Sequence, residues 1–207
     1  MSLLGWLEKL QEQCVPPEQE SSESADDVGY VLTRMRADVA RLNRVAQRFS
    51  KIGSDPDRKP QQVEPVVEEV VAYFRERLPL QGRGVRITLD TEPAPPAAIN
   101  PELVAWVLEN LIKNAMESVD AKSGTIAVHC GPSSRGGVQI TVTDNGRGIP
   151  GKQQQKIFHP GFTTKKRGWG LGLTLARRIV MEYHGGDLYL DDSVPNQATR
   201  FIVELPA

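Results

Sequence analysis

Cysteine is nearly missing from this 207-residue chain, and the two that occur, Cys14 and Cys130, stand far apart in no CxxC or Cys/His spacing. That argues against a disulfide framework or a zinc site and predicts two reduced thiols. Long apolar runs are missing as well. No stretch approaches the roughly 18 residues of a membrane span, and the opening MSLLGWLEKLQEQ brings charges too early for a secretory leader. These absences predict a soluble, cytoplasmic chain with no membrane contact of its own, and leave open a longer, membrane-anchored protein. Nor is there an excess of one charge. Lys and Arg total 25 against 26 Asp and Glu, so no net field attracts nucleic acid or an anionic membrane, and basic clusters must be judged locally. At 39% hydrophobic residues, the chain has material for one good core and a smaller appendage, hence one to two domains.

The appendage comes first. Val28, Leu32, Met35, Val39, Leu42, Ala46 and Phe49 alternate in steps of four and three, the seam of a coiled-coil-like helix. Leu3, Leu7, Leu10 and Cys14 repeat the spacing, and the polar PPEQESSESADD between the two segments has too little apolar surface to fold alone. A helical hairpin over residues 1–54 is predicted, which either pairs with a second copy into a four-helix bundle or folds back on the rest of the chain. SDPDRKP breaks the pattern after Gly53, and a second domain is expected over 60–207. There a helix is predicted over 66–78, and Val85, Ile87 and Leu89 alternate as a strand before the proline-rich EPAPPA. A long helix is capped by Asn100, with Pro101 in its first turn, and runs to about 119. Strands follow around Ile126–Cys130 and Val138–Val142. Beyond a glycine-rich region come a helix over about 171–184 and strands near 187–190 and 199–205. Mixed strands and few helices predict an α+β fold, a two-layer α/β sandwich preceded by the α-helical hairpin.

Three glycine- or amide-bearing elements and one basic loop hold the candidate chemistry. Asn110 and Asn114 lie four apart, on one helical face, beside an apolar stripe of Val104, Leu108, Leu111 and Ala115. Two amides in mid-helix form either a solvated face or a site. Asp144-Asn145-Gly146-Arg147-Gly148-Ile149-Pro150 follows an alternating strand: either an Asx turn, or a carboxylate that accepts an amino hydrogen such as adenine's while Gly146 and Gly148 let a flat ring approach. Gly168-Trp169-Gly170-Leu171-Gly172-Leu173 leads into a helix, where free amides suit phosphate. It lacks the Walker lysine-serine pair and follows no strand, so neither P-loop nor dinucleotide binding is favoured. Between these elements runs Lys156-Ile157-Phe158-His159-Pro160-Gly161-Phe162-Thr163-Thr164-Lys165-Lys166-Arg167. This is either a solvated basic turn or a lid anchored by Phe158 and Phe162 whose cations neutralise phosphates.

Taken in chain order, with the basic loop third and the Gly168 run fourth, the elements resemble the N, G1, F and G2 boxes of sensor histidine kinases, in the superfamily that includes DNA gyrase, MutL and the heat-shock chaperones. The resemblance spans about 60–207, with Ala198 to Pro206 similar to the family's closing strand. It implies a Bergerat-type ATP-binding fold and a Mg2+- and ATP-dependent protein-histidine kinase. Asn114 would hold Mg2+, Asn110 would support metal and phosphates, Asp144 would fix adenine, and Lys165 and Lys166 would meet phosphate charge. Gly146, Gly148, Ile149, Phe158, Gly168, Gly170, Leu171, Gly172 and Thr199 would complete the nucleotide-binding set. Residues 1–54 are similar to the dimerisation hairpin of the same kinases, which implies a homodimer and relay to the receiver domain of a response regulator.

Three departures bear on function. The family's acceptor histidine lies upstream of the stretch that SLLGWLEKLQ resembles, and the histidines here are His129, His159 and His184; this stretch is therefore not expected to phosphorylate itself at the usual place. Where relatives often carry a basic residue three after the metal-binding Asn, this chain has Glu117, and Gly161 replaces a second aromatic, which implies a looser lid. Phosphate charge then falls to Lys113, Lys165, Lys166 or Arg167. Rival readings are an ATP-hydrolysing machine or serine kinase of the same superfamily, and a dimeric scaffold that binds nucleotide without chemistry. Asn110 stands where a hydrolase needs an acidic base, although neighbouring Glu109 keeps that rival open.

Overall fold

Strict alternation of apolar residues builds the sheet. In β4 (Thr125–Pro132) Ile126, Val128 and Cys130 point inward, and in β5 (Val138–Asp144) Val138, Ile140, Val142 and Asp144 do so. The same face continues through β7 (Ala198–Leu205) with Thr199, Phe201, Val203 and Leu205. With β2 (Arg86–Thr91) and β6 (Asp187–Val194) the order is β2-β4-β5-β7-β6; β2 and β4 are parallel and every other pair antiparallel. A parallel pair needs a long crossover, and the chain between β2 and β4 supplies it as β3 (Ala97–Ile99) and a helix. The computed structural model describes residues 57–78, 84–165, 169–195 and 197–207, all inside the unit Pro56–Ala207. The helical hairpin expected over 1–54 lies outside the described residues.

Three helices cover the inward face. α1 (Glu64–Arg77) buries Val67, Val71 and Phe74, and α2 (Pro101–Ser118) buries Val104, Val107, Leu108, Leu111, Ile112 and Ala115. A single turn, α3 (Gly151–Gln154), precedes the basic loop. α4 (Gly172–Arg178) buries Leu175 and Ala176 and continues into a π-helical turn, Ile179–Tyr183. The outward face of the sheet carries Thr88, Ala127, Thr141, Thr143 and Arg200, so the fold is the two-layer α/β sandwich the pattern predicted. Cys130 sits in the core, where burial, and then Glu64 and Glu68, push its thiol up to about 12 and keep it unreactive. No helix among the described residues is long and apolar enough to cross a membrane.

Two local features depart from the sequence reading. Lys59–Gln61, inside and just after the supposed breaker, forms β1 and pairs antiparallel with β3, so that a small second sheet closes over the start of α2. The last helix is also not α-helical to its end. His184 is buried and accepts the Asn100 N–H at Nε2 (3.1 Å), which leaves the proton on Nδ1 to donate to Ile179 O (2.9 Å). That ring bond to Ile179 O accompanies the widened turn. It also ties the end of α4 to the cap of α2.

Candidate functional site

The site is organised along one face of α2. Asn100 caps this helix by accepting Leu103 N–H at 3.2 Å, and Pro101 supplies the preset first turn. Asn110, Asn114 and Ser118 then follow at intervals of four and share a half-buried face that flanks the buried stripe. Each touches a different piece of chain. Asn110 donates from Nδ2 to Trp106 O at 2.9 Å, which turns Oδ1 toward α4; a Cβ on Gly172 would come within 2.9 Å of that oxygen. Asn114 Oδ1 accepts from Lys165 Nζ at 2.8 Å. Ser118 Oγ donates to Asp144 Oδ1 at 2.6 Å. A helix rises about 1.5 Å per residue, so the three contacts are strung along about 12 Å.

Asp144 ends β5 and is buried, at 5% exposure. Its Oδ1 also accepts the Gly146 N–H at 2.9 Å. Gly146 admits no side chain, because a Cβ would lie 2.7 Å from Asp144 Oδ1 and 2.6 Å from the Ser118 carbonyl carbon. Burial pushes the Asp144 carboxyl above its ordinary range, and the Ser118 and Gly146 hydrogen bonds pull it partly back. Thr199 faces Asp144 across the β5–β7 ladder, buried, with Oγ1 3.1 Å from Ser193 Oγ. Ser193 Oγ accepts the Ile149 N–H at 2.8 Å, so one hydroxyl joins the turn after Asp144 to the β6–β7 hairpin. Gly148 adopts φ +74° in that turn and packs on Pro195.

The basic loop is held at its base. Phe158 meets Phe201 edge to face (6.4 Å between centroids), lies 4.9 Å from the Arg177 guanidinium, and accepts at its carbonyl from Thr174 Oγ1 (3.0 Å). Farther on, Gly161 N–H donates to Gly170 O at 3.2 Å. Gly170 has φ +63°, and a Cβ there would lie 2.5 Å from Phe162 O, so only glycine fits. Leu171 is the N-cap position of α4, its carbonyl taking Leu175 N–H at 2.9 Å. Lys166, Arg167 and Gly168 lie outside the described residues.

The described cations are thereby distinguished. Lys113 pairs with Glu109 at 3.2 Å on an exposed flank of α2, whereas Lys165 sits against Asn114 and ion-pairs with Glu117. The carboxylate that departs from the family pattern is therefore neutralised by the loop. His129 is half-buried 3.4 Å from Glu92, His159 is exposed, and His184 has both nitrogens engaged. Sequence reasoning missed Ser118 and Ser193. Ser118 carried a usable signal, since it continues the four-residue spacing of Asn110 and Asn114; Ser193 carried none.

Comparison with known proteins bears on the whole domain. Residues 99–207 match the family described as histidine kinase-, DNA gyrase B-, and HSP90-like ATPase. The C4-dicarboxylate transport sensor protein DctB of Rhizobium meliloti is 32% identical over 89% of this chain and 28% of its own length. The sensor histidine kinase ZraS of Klebsiella oxytoca is 31% identical over 83% of this chain and 37% of its own. The chain thus spans about a third of the curated relatives it matches. Among solved structures, the catalytic domain of histidine kinase ThkA is 27% identical with a TM-score of 0.63, covering 72% of this chain and 95% of that one. ThkA in complex with response regulator TrrA is similar in fold at 20% identity and a TM-score of 0.65, covering 99% of this chain and 56% of that one.

Proposed function

Since the chain belongs to the histidine kinase-, DNA gyrase B- and HSP90-like ATPase family, as a sensor histidine kinase with its ATP-binding catalytic domain, we propose that it lays Mg–ATP along one face of α2 and transfers the γ-phosphoryl group to a histidine. The observation that carries this reading is the serial arrangement of Asp144–Ser118, Asn114–Lys165 and Asn110–Gly172 along that face.

Asp144 accepts the adenine amino group. Ser118 and Gly146 both donate to Oδ1, which fixes the carboxylate and leaves Oδ2 for the base. Thr199 lies beside it in the ladder and supports the same end. Asn114 Oδ1 is a neutral, hard oxygen that already faces a cationic partner, so it fits Mg2+. When bound, Mg2+ neutralises phosphate charge and helps to orient the γ-phosphoryl group. The phosphates enter between Asn110 and the start of α4, where Gly172 and Gly170 keep side chains away, and Lys165 supplies a further positive charge.

Transfer breaks the bond between the γ-phosphorus and its bridging oxygen, forms a phosphorus–nitrogen bond to an imidazole, and leaves ADP with the bonding electrons. The protein's part is orientation and charge neutralisation. Hydrolysis is disfavoured because an amide cannot act as a general base at position 110, and Glu109 is engaged by Lys113. We assign the acceptor to a histidine other than His129, His159 and His184, since His184 is buried with both nitrogens engaged, His129 lies against Glu92, and the resemblance places the acceptor on the dimerisation hairpin, away from the loop that carries His159. An aspartate in the receiver domain of a response regulator then takes the phosphoryl group, and residues 1–54 pair two copies. This last step rests on the resemblance of the upstream segment and on the ThkA–TrrA complex.

The reading is tested by supplying a dimerisation hairpin that carries a histidine and following label from γ-labelled ATP. Label should appear on the added histidine, require Mg2+, and pass to a receiver domain. Binding of Mg–ATP without transfer to any such hairpin would favour a nucleotide-binding scaffold, and steady release of phosphate would favour an ATPase.

A further inference from the structure

Glu117 and Asn114 occupy one turn of α2, three residues apart, and both hold the same ammonium. Lys165 arrives from the loop 51 positions beyond Asn114, donates to Asn114 Oδ1 at 2.8 Å and ion-pairs with Glu117. Its own backbone N–H donates to Thr163 Oγ1 at 3.1 Å, so the loop turns locally to present the side chain. Asn114 Oδ1 is the oxygen assigned above to the metal. An ammonium at hydrogen-bonding distance from that oxygen and a divalent cation on it exclude each other, because two cations cannot share one neutral acceptor at such range.

We propose that Lys165 is an exchangeable counter-ion of the site, and that Glu117 is the positioning residue that holds it in the nucleotide-free state. Arrival of Mg–ATP moves the ammonium from Asn114 and Glu117 to the phosphates, and the loop segment from Thr163 to Lys165 moves with it. The inference rests on the nucleotide reading and adds to it a coupling: occupancy of the Asn114 oxygen decides where the loop sits. It also accounts for Glu117. Paired with Lys165, its carboxylate is neutral toward its surroundings, and the positive charge that relatives often place on the helix is here delivered by the loop. The pair is half-exposed, so the hold is weak enough to be released by a ligand that carries three or four negative charges.

The test follows amide hydrogen exchange at Thr163, Thr164 and Lys165 in the parent, Glu117→Gln, Lys165→Met and the double variant. Without nucleotide, each single change should speed exchange by about threefold to fivefold, the range of a partly exposed ion pair. The double variant should add nothing, because both changes sever one contact. With saturating Mg–AMP-PNP, the parent and Glu117→Gln should become equally protected, and Lys165→Met should not. The reversed pair Glu117→Lys with Lys165→Glu should regain slow exchange without nucleotide, where either reversal alone is fast. Unchanged exchange in Glu117→Gln, additive effects, or loss of nucleotide-induced protection in Glu117→Gln would overturn the proposal. A parent that binds no Mg–AMP-PNP sinks the nucleotide reading and the exchange step with it, whereas the nucleotide-free comparison still decides whether the pair holds the loop.

Discussion

At the scale of single residues, Asp144, proposed above to bind adenine, differs in its energetics from a packing group. Its carboxyl is pushed up by burial. A group whose folded pKa is raised contributes stability that is fully present below its unfolded value, here 3.8, and lost as pH rises through the folded value. The ionised form of Asp144 therefore costs stability relative to the protonated one. Asp144→Asn keeps an oxygen for Ser118 and Gly146 and removes the charge, so the melting temperature should rise while adenine nucleotide affinity falls by about 10- to 100-fold, the worth of a charge-assisted hydrogen bond. His184 runs the other way. Burial lowers its pKa from 6.5, against a smaller opposing effect of its bond to Ile179. Its contribution is present above the unfolded value and lost as pH falls through the folded one. The urea midpoint should drop as pH is lowered below about 6.5, and His184→Gln should lack that dependence. The placement of Asp144 at a strand end before a glycine-bearing turn was readable, because apolar alternation stops at Val142 and spaced glycines follow. The role of His184 was not, because its partners Asn100 and Ile179 are brought to it by tertiary packing.

At the scale of elements, α2 both fills the core and carries the residues of the candidate site. Its buried side supplies Leu108, Leu111 and Ile112, each at 1% exposure or less, and the half-buried flank beside them supplies Asn110, Asn114 and Ser118. Leu111→Ala should cost about 2–5 kcal/mol by transfer and cavity formation, and chemical denaturation will read it. The variant should lose nucleotide affinity only in proportion to its unfolded fraction. Long periodic elements such as α2, β4 and β5 were legible because their apolar spacing reports the side that is buried. β1 and β3 were not: each is three residues long, Pro60 sits in the first, and their pairing joins Gln61 to Ala97 across the whole of α1 and β2. The π-helical turn escaped for a related reason, since the bond that accompanies it comes from a side chain beyond the turn's last residue.

At the scale of the whole molecule, four separate stretches bring the other parts of the candidate site to α2, and they meet it only when the sheet closes. β5 delivers Asp144, β7 sets Thr199 opposite it, the loop brings Lys165, and α4 brings Gly172 against Asn110. The motif order was visible in the sequence, whereas their alignment along a single helical face was a consequence of folding. The most direct test of that alignment is calorimetric titration of adenosine, ADP and AMP-PNP, each with and without Mg2+, into the parent and into Ser118→Ala, Asn114→Ala and Asn110→Ala. The account predicts a ladder. Ser118→Ala should weaken all three ligands alike, Asn114→Ala should spare adenosine and abolish the Mg2+ dependence of the nucleotides, and Asn110→Ala should weaken AMP-PNP most. Equal losses for every ligand in all three variants, or a Ser118→Ala that spares adenosine and weakens only AMP-PNP, would contradict it.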